Sequence, residues 1–524
     1  MADVAVANAP EGEVIDPKQH KRDQIIYPLN QLGSGTMNAF FPTFLPVLLN
    51  TVFFFTVGVA GTIESLSLIV GWVAGPVAGM IIDRVRFRKS KFWPWFLIGS
   101  AGSIAMWVTI YIIPSLAGNP AALMIPVAVI LMGQRIMGQV GAATGNMMFA
   151  RVAKDGKTRA MQAMWGKIAR EAIRTIVGFV FPVLVIVFMA QGMYEHNAWT
   201  IIAIILGGFA FSCQIVVALL TKKSKPEQDA LKGIGVSKKG SSLIKTLTAL
   251  FTNRALLSIW VANSLLKVFF FFHMISGFLL WRYYFGDWTM FAVYMPVMSI
   301  SSTSGALLTP FVYKILKDTK KGAIFSLIGQ VVIYIIAFIV MSPENMWPIL
   351  VLLGAAMLFN GLSDAFMQPM FAHGADYSAL KSGNKDYGLN MTTFALSITT
   401  GNLVHATIRT SMLANAGYDG ATLNAVATNI LEGVEGFAGP AVPMAMTYLR
   451  SLGYTASEAA AQVVPDAIMT VIRNLNTIIP AIIAAVIIVI LLFIYPLNDK
   501  KVEDIQRQIA ERDAAADAAK AQPA

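Results

Sequence analysis

The chain has 524 residues, 56% of them hydrophobic and only 13% charged, with a mean hydropathy of +0.63, a balance that leaves too little charge to cover a soluble domain. The net charge of +11 does not point to nucleic acid, because the basic residues sit in short loops between apolar blocks, the pattern of the positive-inside rule. One cysteine, Cys213, excludes intrachain disulfides and a cysteine-based metal site, and five scattered histidines offer no ligand spacing, so neither a metal nor another cofactor is expected.

In chain order, the N-tail through Arg22 is polar and carries acids, so it is no cleavable signal peptide and the first span directs insertion. Apolar blocks of about 20 residues, the length that crosses a bilayer as a helix, follow near 27–51, 58–82, 93–113, 121–145, 166–190, 198–220, 256–281, 289–312, 322–341, 347–370, 389–413 and 475–495. Alternate connections are strongly basic. The N-tail has Lys18, Lys21 and Arg22, the second connection Arg84, Arg86, Arg88, Lys89 and Lys91, and the fourth Arg151, Lys154, Lys157 and Arg159. The sixth runs from Lys222 to Arg254, the eighth has Lys314, Lys317, Lys320 and Lys321, the tenth Lys381 and Lys385, and the C-tail adds Lys500, Lys501 and Arg507. The interior connections of the other set carry almost none, Arg450 being the exception. Both termini are therefore expected in the cytoplasm.

These boundaries predict an all-α membrane protein of twelve helices in two six-helix bundles. The parts are a cytoplasmic N-tail over 1–25, a bundle over 26–221, a cytoplasmic linker over 222–254, a second bundle over 255–496, and a cytoplasmic tail over 497–524. A long, mildly acidic segment over 416–466 is expected outside, with short helices of its own. The halves share a loop pattern. Gly79, Asp83 and Arg84 lead into basic residues after the second span, and Lys314, Lys317, Asp318, Lys320 and Lys321 stand in the matching place. Such repeats put a substrate cavity between the halves and open it by rocking. Gly79, Asp83, Arg84 and Arg88 are then the candidate conformational-switch loop.

Several runs carry a family resemblance. Gly75-Pro76-Val77-Ala78-Gly79 with Asp83-Arg84, then Lys91-Phe92-Trp93-Pro94-Trp95-Phe96, resembles the second and third helices of the glycoside–pentoside–hexuronide:cation symporters. These are the melibiose-permease-like branch of the major facilitator superfamily. Ala375-Asp376-Tyr377 with Leu380-Lys381-Ser382-Gly383, Gly388-Leu389 and Gly401, and the C-terminal Tyr495-Pro496-Leu497-Asn498-Asp499-Lys500-Lys501, are similar to later parts of that family. The resemblance runs in order over nearly the whole chain. It implies the major facilitator fold and symport of a sugar, glycoside, uronide or related solute across a bacterial inner membrane. The departures matter too. Where the family has two cation-binding aspartates this chain has Gly71 and Gly75; its sugar-binding aspartates fall near Gly35 and Ala142, and its coupling lysine near Thr399. The sodium site is therefore expected to be absent.

Ionisable groups inside spans cost roughly 2.5–3.5 kcal/mol each on insertion scales and usually serve a cavity or a partner. Here they are Glu64, Arg135, Lys167, Arg170, Glu171, Arg174, Lys267, Asp364 and Arg409, with His273 and His405. Lys167, Glu171 and Arg174 share one helical face. Snorkelling to the cytoplasmic edge competes with a cavity role for Lys167 and Arg170. The candidate substrate-binding residues are Arg135, Lys167, Glu171, Arg174, Lys267 and Thr399; the candidate proton carriers are Glu64, Glu171 and Asp364. For Arg409 and His405, interfacial anchoring outranks a gate; Phe269 to Phe272 read as lipid-facing or packing. The basic excess favours an anionic solute. No phosphate-binding loop is present, so ATP drive is unsupported. Uncoupled facilitation and lysolipid transport stand as alternatives. So do a non-transporting sensor and a membrane enzyme, for which His373 with Asp376 is the nearest constellation.

Overall fold

A lipid-exposed backbone has no water to satisfy its N–H and C=O groups, so an apolar chain of this kind must close its hydrogen bonds within helices. The computed structural model of the protein describes residues 17–85, 87, 90–116, 120–152, 156–225, 227–228, 251–382, 387–434 and 439–521. Apart from one isolated bridge, Phe87 to Ser90, its regular structure among the described residues is helical.

Among the described residues, eleven helices are long and apolar enough to cross a membrane. The first ten in sequence are α1 (Asp23–Val52), α2 (Val57–Ile82), α3 (Trp93–Ile113), α4 (Met124–Gly145), α5 (Trp165–Ala190), α6 (Glu195–Lys222), α7 (Arg254–Tyr284), α8 (Trp288–Leu316), α9 (Thr319–Val340) and α10 (Met346–Phe371). Next comes α11 (Tyr387–Asn415), 29 residues long and rich in threonine and asparagine. Its polar sequence is tolerated because α2 and α7 cover it. Three short helices follow, α12 (Gly420–Ile430), α13 (Ala441–Ser451) and α14 (Ala456–Val463), then the eleventh apolar helix, α15 (Asp466–Ile494), and a tail helix, α16 (Asp499–Ala521).

The last long helix starts nine residues before the sequence suggests (466 against 475) because its first turns are amphipathic: Ile468, Ile472 and Leu475 are buried while Asp466 and Arg473 lie on the other side.

Packing repeats between the halves. Helix α1 lies on α5 and α6, as α7 lies on α11 and α15; α2 pairs with α4, as α8 pairs with α10; α3 pairs with α6, as α9 pairs with α15. The halves meet along two equivalent seams, α2 against α11 and α5 against α8. Helix starts repeat as well. The Glu227 carboxylate, five residues beyond α6, accepts from the Lys91 and Phe92 amides at 2.5 and 2.7 Å and so caps the start of α3. Asp499, five residues beyond α15, accepts from the Thr319 amide at 3.0 Å at the start of α9. Each satisfies N–H groups that a helix leaves without intrahelical partners.

The two ends of the bundle differ. One end, the terminus end, carries the start of α1 and the tail helix α16; the other carries α12 to α14, with α12 packed on Leu48–Val52 of α1 and α13 on Leu280–Tyr284 of α7. At this insertion end an aromatic cluster joins the halves. Phe44 of α1 lies 3.8 Å from Phe181 of α5 and 4.8 Å from Phe278 of α7, centre to centre, and Phe181 lies 6.4 Å from Trp288 of α8. Phe269, Phe271 and Phe272 are buried in packing rather than turned to lipid.

Candidate substrate and coupling site

The intramembrane charges fall into two groups. The first lies between the halves and is built by α5, α7 and α10. Glu171 and Arg174 are three apart on α5, so they face together, and Arg174 Nη1 donates to Glu171 Oε2 at 2.8 Å. The Arg174 guanidinium also sits 4.3 Å from the ring centre of Phe270 on α7, a cation–π contact across the seam. Lys267 of α7 donates to Asp364 of α10 within the second half. Lys167 and Arg170, both half-buried on α5, face Asp364 from the first half, and Lys167 also faces Lys267. Snorkelling does not describe them, since each is turned toward the opposite bundle. Among the described residues neither holds an ion-pair partner, and the buried Arg170 Nε has no hydrogen-bond acceptor.

The second group lies toward the insertion end. Glu64 of α2 accepts from Arg409 Nη2 of α11, with both side chains 3% exposed. Arg135 of α4 adds its charge beside Glu64, reaches Ser67 Oγ at 3.5 Å and lies 5.7 Å from the Trp107 ring centre. The interfacial anchoring expected for Arg409 and His405 is thus overturned. Both are buried, and His405 Nε2 lies 3.1 Å from Ser276 Oγ of α7. The neighbouring cavity, lined by Asn50, Ala60, Glu64, Arg409 and Tyr418 among others, has a volume of 10 Å³, room for about one water. A second inter-half ion pair closes the same end. Arg282 of α7, fully buried, donates through both terminal nitrogens to Glu195 of α6, at 2.8 and 3.3 Å. The Asp364 side chain of the first group is 36% exposed.

The positions of the resembled family's acids can now be read in space. A Cβ on Gly71 would meet the Arg135 stem at 3.4 Å, and one on Gly75 would meet Gln139 Oε1 at 3.2 Å. The Arg135 stem therefore packs against position 71, where the resembled family has a cation-binding aspartate. A Cβ on Gly35 would be 2.7 Å from Ile173, so α1 and α5 pack where that family has a sugar-binding acid. Thr399 is half-buried on α11 and Ala142 is exposed. Gly79 is half-buried at the inner part of α2, whereas the Asp83 and Arg84 side chains and Arg88 lie outside the described residues.

A sequence model of the family described as MFS/sugar transport protein matches residues 26–433. The chain belongs to this family. The resemblance read from the sequence thus holds, and this MFS/sugar transport protein is a membrane transporter of small molecules rather than an enzyme. A search of curated proteins finds no match. Solved structures share its fold. A bacterial homologue of the human lysosomal transporter Spinster, inward-facing and unoccupied, has a TM-score of 0.57 at 11% identity over 91% of this chain and 98% of that one. The nucleoside transporter NupG has a TM-score of 0.51 at 12% identity over 91% and 99%. A D-xylose–proton symporter has 0.51 at 12% identity over 75% and 90%.

Of the residues singled out from the sequence of this MFS transporter, Lys167, Glu171, Arg174, Lys267 and Asp364 come together, and Glu64 and Arg135 form the separate outer group. Sequence reasoning missed Glu195 and Arg282. The available signal was a pair of opposite charges at the insertion ends of consecutive spans. It also missed the bridge of His273, whose ring nitrogens lie 2.9 Å from Tyr294 Oη and 2.6 Å from Tyr334 Oη, tying α7 to α8 and α9.

Proposed function

We propose that this transporter is a secondary carrier of a sugar, glycoside, uronide or related organic solute, working by alternating access without sodium. The observation that carries the reading is the group of charged side chains between the two halves, with the inter-half ion pairs Glu64–Arg409 and Glu195–Arg282 on its insertion side and a part-exposed Asp364 within it. The basic loops put the terminus end in the cytoplasm of a bacterial cell, with the insertion outside. The conformation is then inward-open, and substrate is held by Lys167, Arg174, Lys267 and Thr399, with Glu171 and Asp364 shaping the charge. The loop Gly79 to Arg88 and its partner near Asp318 switch on the cytoplasmic side.

Sodium coupling is disfavoured on two grounds. Glycine brings no side-chain oxygen to positions 71 and 75, and backbone carbonyls of an intact helix are already engaged. Arg135 also lays its stem along Gly71, next to Glu64. Of the three candidate proton carriers, Glu64, Glu171 and Asp364, each already holds a cation in this conformation, so proton symport requires one of those pairs to open first. Uptake by the purified protein in liposomes tests the reading. A labelled solute from a panel of glycosides, uronides and sugar acids should enter at a rate unchanged when sodium is replaced by choline. Sodium-driven accumulation would overturn the assignment, as would failure to carry any member of the panel.

A further inference from the structure

The charges of the inner group do not cancel. Arg174 is neutralised by Glu171 and Lys267 by Asp364, which leaves Lys167 and Arg170 uncompensated among the described residues. Two like charges one turn apart on α5, set between the bundles, are held in place only against their mutual repulsion and desolvation. Asp364 faces both and is engaged by Lys267, and Glu171, engaged by Arg174, faces Lys167 as well. Nothing else described around the group supplies a counter-charge. The charged residues of α8 and α9, Lys314, Lys320 and Lys321, lie at the terminus ends of those helices, and Tyr27 is the neighbour of Arg170 on α1.

We propose that Lys167 and Arg170 bind a doubly charged organic oxyanion, and that the carrier exchanges such anions rather than moving them one way. The inference rests on the transporter reading and adds its substrate class and mode. With a dianion bound, the inner group is neutral and the occluded intermediate of alternating access carries no uncompensated charge. Empty, it must take two bare cations through a closed, water-poor state, and that step is slow. The return stroke therefore needs another anion. The geometry suits this. Lys167 and Arg170 belong to the first bundle and face the second, so an anion on them draws the halves together. Lysine supplies a mobile point charge, and arginine a planar fork for two oxygens. The internally neutral Lys267–Asp364 pair leaves the count at two.

The chemistry fits a sugar-derived dicarboxylate or a sugar phosphate. The purified full-length protein in liposomes distinguishes them with D-glucarate and D-glucose 6-phosphate as probes, beside singly charged D-glucuronate and neutral methyl β-D-glucoside. At least one dianion should enter liposomes preloaded with the same dianion about 100-fold or more faster than liposomes loaded with neutral buffer. The dianion that shows this counterflow identifies the source. Lys167→Gln should shift preference from that dianion to D-glucuronate. Lys167→Gln with Arg170→Gln should abolish the preloading requirement. Arg507→Gln removes one positive charge from the exposed tail helix α16, outside the site, and should keep both the dianion preference and the requirement, with thermal unfolding in detergent as the folding check for every variant. Equal rates with and without preloading overturn the proposal, as does failure of both dianions to enter. Net entry of methyl β-D-glucoside without preloading also overturns it while leaving the transporter reading intact. Binding of a dianion without flux of any solute overturns the transporter reading instead.

Discussion

Glu64 and Arg409 pair where each side chain is only 3% exposed, so each depends on the other for compensation. Removing one partner of a buried pair typically costs about 3–5 kcal/mol, because the other charge is left alone, whereas removing both is far less costly. Arg409→Gln should therefore lower the thermal unfolding temperature in detergent markedly, and Glu64→Gln with Arg409→Gln should recover most of the loss. A double variant as unstable as the single one would show that Arg409 acts through packing instead. This pair also shows how far single residues were legible. Both charges stand out in apolar spans, but their partnership crosses 345 positions and two bundles, which no local pattern reports. Arg409 consequently reads as an anchor at a helix end. Arg282 lies one position past the expected end of the seventh span, at 281, and so reads as a loop charge; the structure extends that helix to Tyr284 and buries Arg282 completely. For Lys167 and Arg170, periodicity places the residues on α5 but not the direction in which α5 faces. Only the packing of α5 against the second bundle distinguishes a cavity from the membrane edge.

At the scale of elements, apolar length and basic loops made the long helices readable because the bilayer imposes both. The segment 416–466 was readable as a long, mildly acidic insertion with helices, but not as a cap seated on α1 and α7. Local chemistry shapes it. Asp419 caps α12, and Thr455 with Glu458 forms a capping box at the start of α14. The insertion is tied to the α9–α10 loop by Glu344, which accepts from the Ser342 hydroxyl and from the Ser457 amide at 2.9 Å. Partial burial acts to raise the Glu344 carboxyl, but these hydrogen bonds outweigh it and hold it down to about 2. The sign follows from linkage. A depressed carboxyl contributes stability above its unfolded value, and that stability is lost as pH falls toward the folded value. Hydrogen exchange at the Ser457 amide, corrected for intrinsic rates, should hold its protection down to about pH 5 and lose it progressively below about pH 4. In Glu344→Gln that pH dependence should vanish. Protection that persists unchanged in acid would mean that Glu344 does not hold the insertion.

At the scale of the whole molecule, the repeat of basic loops foreshadowed two bundles, but not which end is shut. Closure depends on contacts between halves that share no sequence pattern: the aromatic cluster around Phe44, the pair Glu64–Arg409 along the α2–α11 seam, and the pair Glu195–Arg282 between α6 and α7. Gly61 adds a close approach, since a Cβ there would come within 2.1 Å of the Thr410 side chain. Under the proposed alternating access, all of these must part when the insertion end opens. In Glu64→Gln with Glu195→Gln, Arg409 and Arg282 lose their carboxylates while closed and regain hydration when open. The equilibrium must then shift toward the insertion-open conformation by the difference between those states. A reporter sits at Ala60, which lines the sealed 10 Å³ cavity and is 4% exposed. With Cys213→Ser removing the native thiol, Ala60→Cys should react with a water-soluble thiol reagent at least about tenfold faster in the double variant than with both acids present, a shift of about 1.4 kcal/mol. The arginines provide the opposite check. Arg409→Gln with Arg282→Gln leaves the carboxylates bare instead and should raise the same reactivity. If neither pair of substitutions changes it, the insertion end is held by aromatic packing alone, and the two ion pairs only align the halves.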